Sequence, residues 1–279
     1  MLTVSKALER LAVSNTWIGQ RSERISGLRN LLTEAESIGG AQGLDFVNTL
    51  IRRVTFLTSD EFDKLIYEMA EYITQTFALE STVICAATAD HKKDSGQKVL
   101  YDLCSALGLF GHTKIRTVNR YDHVYRKEGA NVTDVVLIDE FIGTGRSFLG
   151  RVTTIRKQFT SGKKNVPKFH GLAVAGMSEG LRGIAHGFET LGVCTSLLKG
   201  IQGMALRNRM AGEYALMALF EDHLCSSIDG NELPRSGDGA CEALYARSLG
   251  NCPNSVFPIF WWSRDSIGRI RNPLFPRVL

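Results

Sequence analysis

Long hydrophobic runs are absent from this sequence of 279 residues. No apolar run approaches the roughly 20 residues that a membrane-spanning helix requires, so the sequence predicts no membrane contact. The N-terminal stretch MLTVSKALERLAVSN has neither the basic start nor the long apolar core of a secretory signal. Together these absences lead us to expect a cytoplasmic protein.

Cysteine pairs of the CxxC type are absent as well, and no internal repeat is visible. The cysteines are scattered along the chain, at Cys85, Cys104, Cys194, Cys225, Cys241 and Cys252. This spacing is typical of reduced thiols in a cytoplasmic protein, with disulfides or a metal site as the alternative. The sequence therefore predicts no protein-bound metal.

Charge is balanced overall but unevenly distributed. The formal net charge is +4, and 44% hydrophobic with 22% charged residues is a globular composition. Residues 1–80 carry 8 Lys/Arg against 11 Asp/Glu, whereas the remainder carries 25 against 18. The basic excess lies around Arg151–Lys168 and Arg264–Arg277. It indicates either a solvated face or a partner rich in phosphate.

The most informative stretch is DVVLIDEFIGTGRSFLG, residues 134–150. Four apolar residues predict a buried parallel strand, and two carboxylates, Asp139 and Glu140, follow directly. The glycine-rich loop after them then enters a helix. Glycines allow close backbone approach, and helix N-terminal amides bind anions, so the loop predicts a phosphate site. Adjacent carboxylates suggest a phosphorylated sugar; the alternative is an ordinary tight strand-to-helix turn.

The remaining pattern predicts an α/β fold with a Rossmann-like, mostly parallel sheet. Residues 1–80 show helical periodicity over 22–37, 41–54 and 60–77, and the acidic charge of this region favours a scaffold over a winged-helix DNA reader. Four further strands are predicted, at 81–87, 113–118, 169–175 and 192–198. Helices are predicted at 201–226 and 241–249. The predicted division is 1–80 helical region, 81–200 α/β core and 201–279 C-terminal hood or tail.

Residues 135–147, VVLIDEFIGTGRS, resemble the phosphoribosyl pyrophosphate (PRPP) loop of type I phosphoribosyltransferases. The pattern is an apolar strand, two acids, two apolar residues and a T-G-x-S loop. By this resemblance Asp139 and Glu140 are catalytic and accept hydrogen bonds from the ribose hydroxyls. The residues implied to bind the 5-phosphate are Gly143, Thr144, Gly145, Arg146 and Ser147.

The resemblance also implies roles for two other loops. The pyrophosphate would lie against the loop after the first strand, at Ala87, Thr88, Lys92, Lys93 and Ser95. The long polar segment 119–133 resembles the flexible loop that closes over the active site, with Arg126 and Lys127 as its catalytic cations. The alternative is a plain surface loop or a two-stranded extension, because Tyr121, His123 and Tyr125 alternate.

The C-terminal tail is the candidate hood that selects the acceptor. Phe260, Trp261 and Trp262 either stack on a nucleobase or anchor the tail against the core. The family implies Mg²⁺, bound mainly through the sugar pyrophosphate, and a homodimer. The expected activity is that of a phosphoribosyltransferase, a glycosyltransferase that transfers the phosphoribosyl group from PRPP to a nitrogen acceptor.

Two other functions stay open. One is a PRPP-sensing transcriptional regulator without turnover. The other follows from a looser resemblance, carried by the helical start and the PIFWW and NPLFPR tail, to phosphoribosyltransferase-like effectors of bacterial conflict systems of the retron type. Such a toxin-like effector in antiviral defence would consume a nucleotide or modify a macromolecule. A reverse transcriptase, a nucleic acid or a regulatory protein would be its partner.

Overall fold

The computed structural model describes residues 2–88, 94–128, 132–203 and 210–278. Two compact units emerge, one formed by Ser59–Leu197 and the other by Met1–Thr58 together with Leu198–Leu279. The predicted division at residues 80 and 200 groups the chain differently and stays a prediction. Lys92 and Lys93, which we predicted to bind pyrophosphate, lie outside the described residues.

The elements are as follows. The helices are α1 (Val4–Ser14), α2 (Thr16–Gly19), α3 (Ser22–Arg52), α4 (Ser59–Thr76), α5 (Ser95–Leu109), α6 (Val124–Glu128), α7 (Arg146–Ser161), α8 (Ser178–Ile184) and α9 (Met210–Asp222). The strands are β1 (Thr55–Leu57), β2 (Thr82–Ala86), β3 (Arg116–Val118), β4 (Asp134–Ile142), β5 (Lys168–Met177), β6 (Thr190–Leu197), β7 (Ser227–Ile228), β8 (Asn231–Glu232) and β9 (Tyr245–Arg247).

The Ser59–Leu197 unit is built on a five-stranded sheet of order β3-β2-β4-β5-β6, in which every neighbouring pair is parallel. Val135 and Leu137 of β4 pack in one cluster with Val152 and Ile155 of α7. Because side chains alternate along a strand, those between them face the opposite side, where α4 and α5 contact the sheet. The predicted mostly parallel α/β architecture is confirmed.

The order of the strands fixes where a ligand binds in such a sheet. β3 lies on one side of β2, and β4 lies on the other, so the winding reverses between β2 and β4. In open α/β sheets the crevice at such a reversal, outside the carboxyl ends of the strands, is the usual ligand site. The carboxyl ends of β2 and β4 are therefore the expected position of a ligand site.

The second unit brings the two ends of the chain together. β1 pairs in parallel with β9, in the register Thr55 with Tyr245. Trp17 of α2 stacks on Phe56 at a ring distance of 4.6 Å. This pairing joins segments far apart in sequence, and neither strand was predicted. The helix expected over 241–249 is wrong, since β9 occupies its second half.

The structure confirms one local prediction and corrects another. A break was predicted between the helices at 22–37 and 41–54, and within α3 the helical geometry is interrupted at Gly40 (φ 58°, ψ −146°), where two helices meet at a kink. The two-stranded extension weighed for 119–133 is wrong, because residues Tyr121–His123 form a 3₁₀ turn and α6 follows.

All six cysteines are free thiols, and burial raises the pKa of the Cys85 thiol far above its usual range. Across the described ranges, none of the helices combines the length and the hydropathy needed to cross a bilayer.

Candidate functional site

Several of the predicted site residues lie at the carboxyl ends of β2 and β4. Ala87 and Thr88 follow β2, and both are buried. Asp139 and Glu140 belong to the last part of β4, and the loop 143–145 connects β4 to α7. The sequence prediction and the topology of the sheet therefore converge on the same edge.

The loop after β4 is shaped by one glycine with a left-handed backbone. Gly145 has φ +75° and precedes the first residue of α7. A Cβ atom there would lie 2.7 Å from the Ile184 side chain, so any other residue would also clash. The Thr144 hydroxyl accepts a hydrogen bond from the Arg146 N–H at 3.4 Å. The first-turn N–H groups of a 16-residue helix point toward this loop, which is an anion-binding geometry.

The beginning of α8 supports the loop from behind. A Cβ atom on Gly180 would lie 1.9 Å from the Gly143 carbonyl oxygen and 3.0 Å from its carbonyl carbon. Only a glycine permits this approach of two backbones. Gly180 and Ile184 were not among the predicted site residues, although both fix the position of the loop. A glycine three residues into a helix was their only signal in the sequence.

The two adjacent carboxylates have different environments. Asp139 keeps 15% of its side chain exposed, whereas Glu140 is 1% exposed. Neighbouring side chains of a strand point to opposite faces, which separates the two groups. The Asp139 carboxylate accepts a hydrogen bond from the Glu140 N–H at 2.8 Å and lies 3.4 Å from the Arg151 guanidinium.

Burial raises the pKa of Asp139 to about 7. Arg151 opposes this increase, while the negative charges of Asp94 and Glu140 add to it. Asp139 therefore changes its charge close to neutral pH. Arg151 lies one turn beyond the phosphate loop, and sequence spacing gave no sign of its contact with Asp139.

The amino end of α5 meets Asp139 from the other side. Asp94 caps this 15-residue helix by accepting from the Gly96 N–H at 2.9 Å. A Cβ atom on Gly96 would lie 3.5 Å from one oxygen of Asp94 and 3.5 Å from one of Asp139. Ser95, predicted for pyrophosphate, is the first residue of α5 and thus lies at this edge. Asp94 was missed, although an aspartate before a helix is a recognisable cap.

Thr88 completes this side of the crevice. It is fully buried, and within the described residues its hydroxyl has no hydrogen-bond partner. The Thr88 carbonyl accepts from the Tyr121 N–H at 3.4 Å, which brings the segment after β3 to the end of β2. Arg120 follows β3 closely and pairs with both oxygens of Asp122, at 3.0 and 2.8 Å. Arg120 is thus a cation near the crevice that the sequence did not reveal.

Arg126 and Lys127 are not brought to the phosphate loop. The ring of Tyr125, the residue before them, packs on Phe159 at 5.2 Å, in the last turn of α7. Its hydroxyl lies where a Cβ of Gly162 would be, 1.8 Å away. The phosphate loop is at the opposite end of the same helix. Both cations are exposed, and their predicted catalytic role has no support from this placement.

The predicted hood aromatics are buried inside the second unit. Phe260, Trp261 and Trp262 are 0%, 3% and 1% exposed. The Trp261 indole N–H donates to the Val256 carbonyl at 2.9 Å, and the guanidinium of Arg277 lies 4.8 Å from its ring. This packing matches the alternative weighed from sequence, in which the cluster anchors the C-terminal tail.

Metal ligands are not clustered in the part of the chain that the structure describes. There, no three side chains of His, Cys, Asp or Glu come together as a group that could hold an ion. Asp94 and Asp139 are the two carboxylates that flank Gly96 at the crevice. A cation here would need oxygen ligands from something other than the protein.

Solved structures resemble the chain only partially. Helicobacter pylori xanthine-guanine-hypoxanthine phosphoribosyltransferase is 10% identical, with 50% of this chain and 86% of that chain covered at a TM-score of 0.32. A Neisseria gonorrhoeae hypothetical protein with bound ppGpp is 11% identical (57% and 95% covered, TM-score 0.34). The hypoxanthine-guanine phosphoribosyltransferase of Schistosoma mansoni, in complex with IMP, is 14% identical (51% and 65% covered, TM-score 0.33).

TM-scores this low add nothing to the strand order and loop geometry described above. No curated protein matches the chain significantly. A family model, in contrast, matches almost its entire length, residues 16–277. The type I phosphoribosyltransferase resemblance carried by VVLIDEFIGTGRS is thereby confirmed, and the chain belongs to the PRTase-CE family.

Proposed function

We propose that this phosphoribosyltransferase-like protein binds PRPP or a related ribosyl 5-phosphate donor and transfers its phosphoribosyl group to a nitrogen acceptor. The observation that carries the proposal is the loop 143–147, which starts a 16-residue helix beside Asp139 at the point where the sheet reverses its winding. Loop amides, a carboxylate and a second helix N-terminus meet at one edge. A 5-phosphate, a ribose and a pyrophosphate need these three kinds of group.

The residues of the crevice suggest how the donor lies. The 5-phosphate accepts hydrogen bonds from the amides at the start of α7, including those of Arg146 and Ser147. The Asp139 carboxylate accepts from a ribose hydroxyl. The pyrophosphate faces the start of α5, where the Ser95 amide and hydroxyl are close. Glu140, being buried, holds the end of β4 in this proposal and does not contact the sugar.

The fold family implies Mg²⁺, and the donor set fits an ion that is held mainly by the substrate. Mg²⁺ prefers oxygen ligands and keeps much of its water. Asp94 and Asp139 would hold it through water, since the described residues supply no larger ligand group. When bound, the ion neutralises pyrophosphate charge that two carboxylates would otherwise repel.

The reaction requires positioning more than side-chain chemistry. The bond from the anomeric carbon to the pyrophosphate oxygen breaks, and a bond to the acceptor nitrogen forms. Pyrophosphate leaves with the electron pair, and the acceptor nitrogen loses its proton to solvent. Amides at the start of α5 stabilise the charge that develops on the leaving group, and those at the start of α7 hold the donor in position through its 5-phosphate. No residue acts as a nucleophile.

Pyrophosphate release tests this proposal directly. The full chain is incubated with PRPP, Mg²⁺ and a panel of bases, nucleotides and tRNA. We expect release with at least one acceptor, and loss of release in Asp139→Asn. Asp134→Asn is the matched control, because it makes the same change in the same strand at the opposite edge of the sheet. Turnover by Asp139→Asn equal to that of the unmodified chain would contradict the assignment.

Calorimetric titration with PRPP separates the open alternatives. Tight binding without release for any acceptor would indicate the PRPP-sensing regulator. Release or nucleotide loss only when the protein is expressed in cells would indicate the toxin-like effector. Absence of PRPP binding at any magnesium concentration would exclude the donor itself, and with it the proposal.

A further inference from the structure

A dense group of exposed cations lies at the end of α7 that is remote from the phosphate loop. We define the basic patch by its residues: Arg126, Lys127, Arg156, Lys157, Lys163 and Lys164. We propose that the basic patch binds the phosphate backbone of a double-stranded nucleic acid. The proposal is independent of the transferase chemistry, because it uses a different surface.

Positive and negative charges lie in different parts of the Ser59–Leu197 unit. Its sequence carries 17 Lys/Arg and 16 Asp/Glu, so the unit is close to neutral. The stretch 141–178 nevertheless holds seven Lys/Arg and no acidic residue. The opposite sign collects on α4, with five acids and one lysine. α7 and α4 lie on opposite faces of the sheet, so the cations of α7 and the acids of α4 face away from each other.

Packing of α6 adds two cations to those of α7. Tyr125 contacts Phe159 in the last turn of α7, which brings Arg126 and Lys127 to the same end. Lys164 is held there by its N–H, which donates to the Phe159 carbonyl at 3.0 Å. These contacts therefore place Arg126, Lys127 and Lys164 at the same end of α7.

The cations of the basic patch are available for a ligand. All six are exposed, and within the described ranges none of them forms an ion pair. Arg156 alone has another partner, because its guanidinium lies 5.2 Å from the Phe169 ring. By contrast, Lys64 and Lys98 on the opposite face each pair with an acid one turn away.

Distance separates the basic patch from the proposed donor. Between Arg146, at the loop, and Phe159, beside the patch, α7 rises about 20 Å. One PRPP molecule in the loop cannot reach these cations. A polymer with regularly spaced phosphates satisfies such a surface, because duplex DNA carries one charge per about 1.7 Å of axis.

The absence of stacking groups favours a duplex over a single strand. Sites for single strands place exposed aromatic rings between their cations. The exposed aromatic side chains of the described residues are Tyr67, Tyr72, Tyr101 and Tyr214, and none belongs to the basic patch. The Tyr125 ring packs against Phe159 and does not offer a surface for base stacking. The basic patch can therefore contact a nucleic acid only through its phosphates.

Fluorescence anisotropy with the full chain tests the proposal. The probes are labelled DNA and RNA duplexes of about two helical turns, and the corresponding single strands. Each is titrated at several salt concentrations. We expect duplex binding whose logarithm falls with log[salt] at a slope of about −4 to −6, since each neutralised phosphate contributes about −0.9. The two duplexes distinguish DNA from RNA as the source of the backbone.

The decisive variant is Lys157→Gln, Lys163→Gln, Lys164→Gln. It should reduce the steepness of the slope by about 3 and weaken binding at least about tenfold near physiological salt. The matched control removes three exposed cations elsewhere, in Lys6→Gln, Arg10→Gln, Lys114→Gln, and should bind as the unmodified chain does. If the triple variant fails to fold, Lys157→Gln alone should reduce the slope by about 1.

Several results would overturn the proposal. No duplex binding by the unmodified chain at low salt is one, and equal weakening by the two triple variants is another. Preferential binding of single strands would refute the duplex geometry. Binding to phosphatidylserine vesicles or to an acidic peptide without binding to duplex would assign the basic patch to a different class of partner.

Discussion

Gly180→Ala is the most specific test of how the phosphate loop is held. The new methyl group would lie 1.9 Å from the Gly143 carbonyl oxygen, and its nearest neighbours are all backbone atoms, which cannot rotate away. Real Cβ atoms are essentially never found within 3.0 Å of such an atom. Either α8 or the loop must therefore move by about 1 Å, a displacement that costs enzymes on the order of a hundredfold in rate.

The expected size of the effect follows from overpacking. Inserted methyl groups in a close-packed site destabilise by about 1–3 kcal/mol, and we expect Gly180→Ala to lose this amount. Donor affinity should fall at least about tenfold, because the loop amides no longer converge on the 5-phosphate. Chemical denaturation measures the first quantity, and calorimetric titration with PRPP measures the second.

The same helix contains the control. A Cβ atom on Gly183, in the last turn of α8, would meet no other atom within 4 Å. Gly183→Ala should therefore stabilise the protein by about 0.5–1 kcal/mol through helix propensity and leave donor binding unchanged. If Gly180→Ala is as stable as Gly183→Ala and binds the donor equally well, α8 does not support the loop and the reasoning is refuted.

Two further predictions concern titration. Arg151→Met removes the cation that opposes the raised Asp139 pKa, so the rise of pyrophosphate release with pH should shift upward from its midpoint near 7; an unchanged midpoint would contradict the contact. Burial raises the pKa of Glu221 from 4.5 to about 7, so this buried carboxyl is more readily protonated in the folded chain than in the unfolded one. The contribution of protonated Glu221 to the free energy of unfolding is complete below pH 4.5. It is lost as pH rises toward 7, which lowers the free energy of unfolding by up to about 3 kcal/mol. Chemical denaturation of the Glu221→Gln variant between pH 4.5 and 7 should show no such loss of stability as pH rises.

Patterns that act locally along the chain carried most of the correct inferences. The apolar run before Asp139 predicted a buried strand, because only a strand covered on both faces tolerates such continuity. The glycines after it predicted the turn, since Gly145 has a backbone angle that other residues rarely adopt. The alternation of strands and helices predicted the parallel sheet, because parallel strands require crossovers.

In two places a local rule was available in the sequence but was outweighed by the family pattern. Asp139 and Glu140 are neighbours in a strand, so alternation alone would have placed them on opposite faces. The structure buries Glu140 and leaves Asp139 at the crevice. In the same way, an aspartate immediately before a helix marks a cap, and Asp94 could have been found at the site from that signal.

Sequence by itself determined the strand, the phosphate loop and the class of fold, because each depends on residues within about one element of each other. Tertiary structure alone decided which distant groups share a surface. It placed Arg126 at the far end of α7 and buried Trp262. It also paired β1 with β9, which lie far apart along the chain. Such contacts depend on how elements pack against one another, and neither spacing nor composition encodes that arrangement.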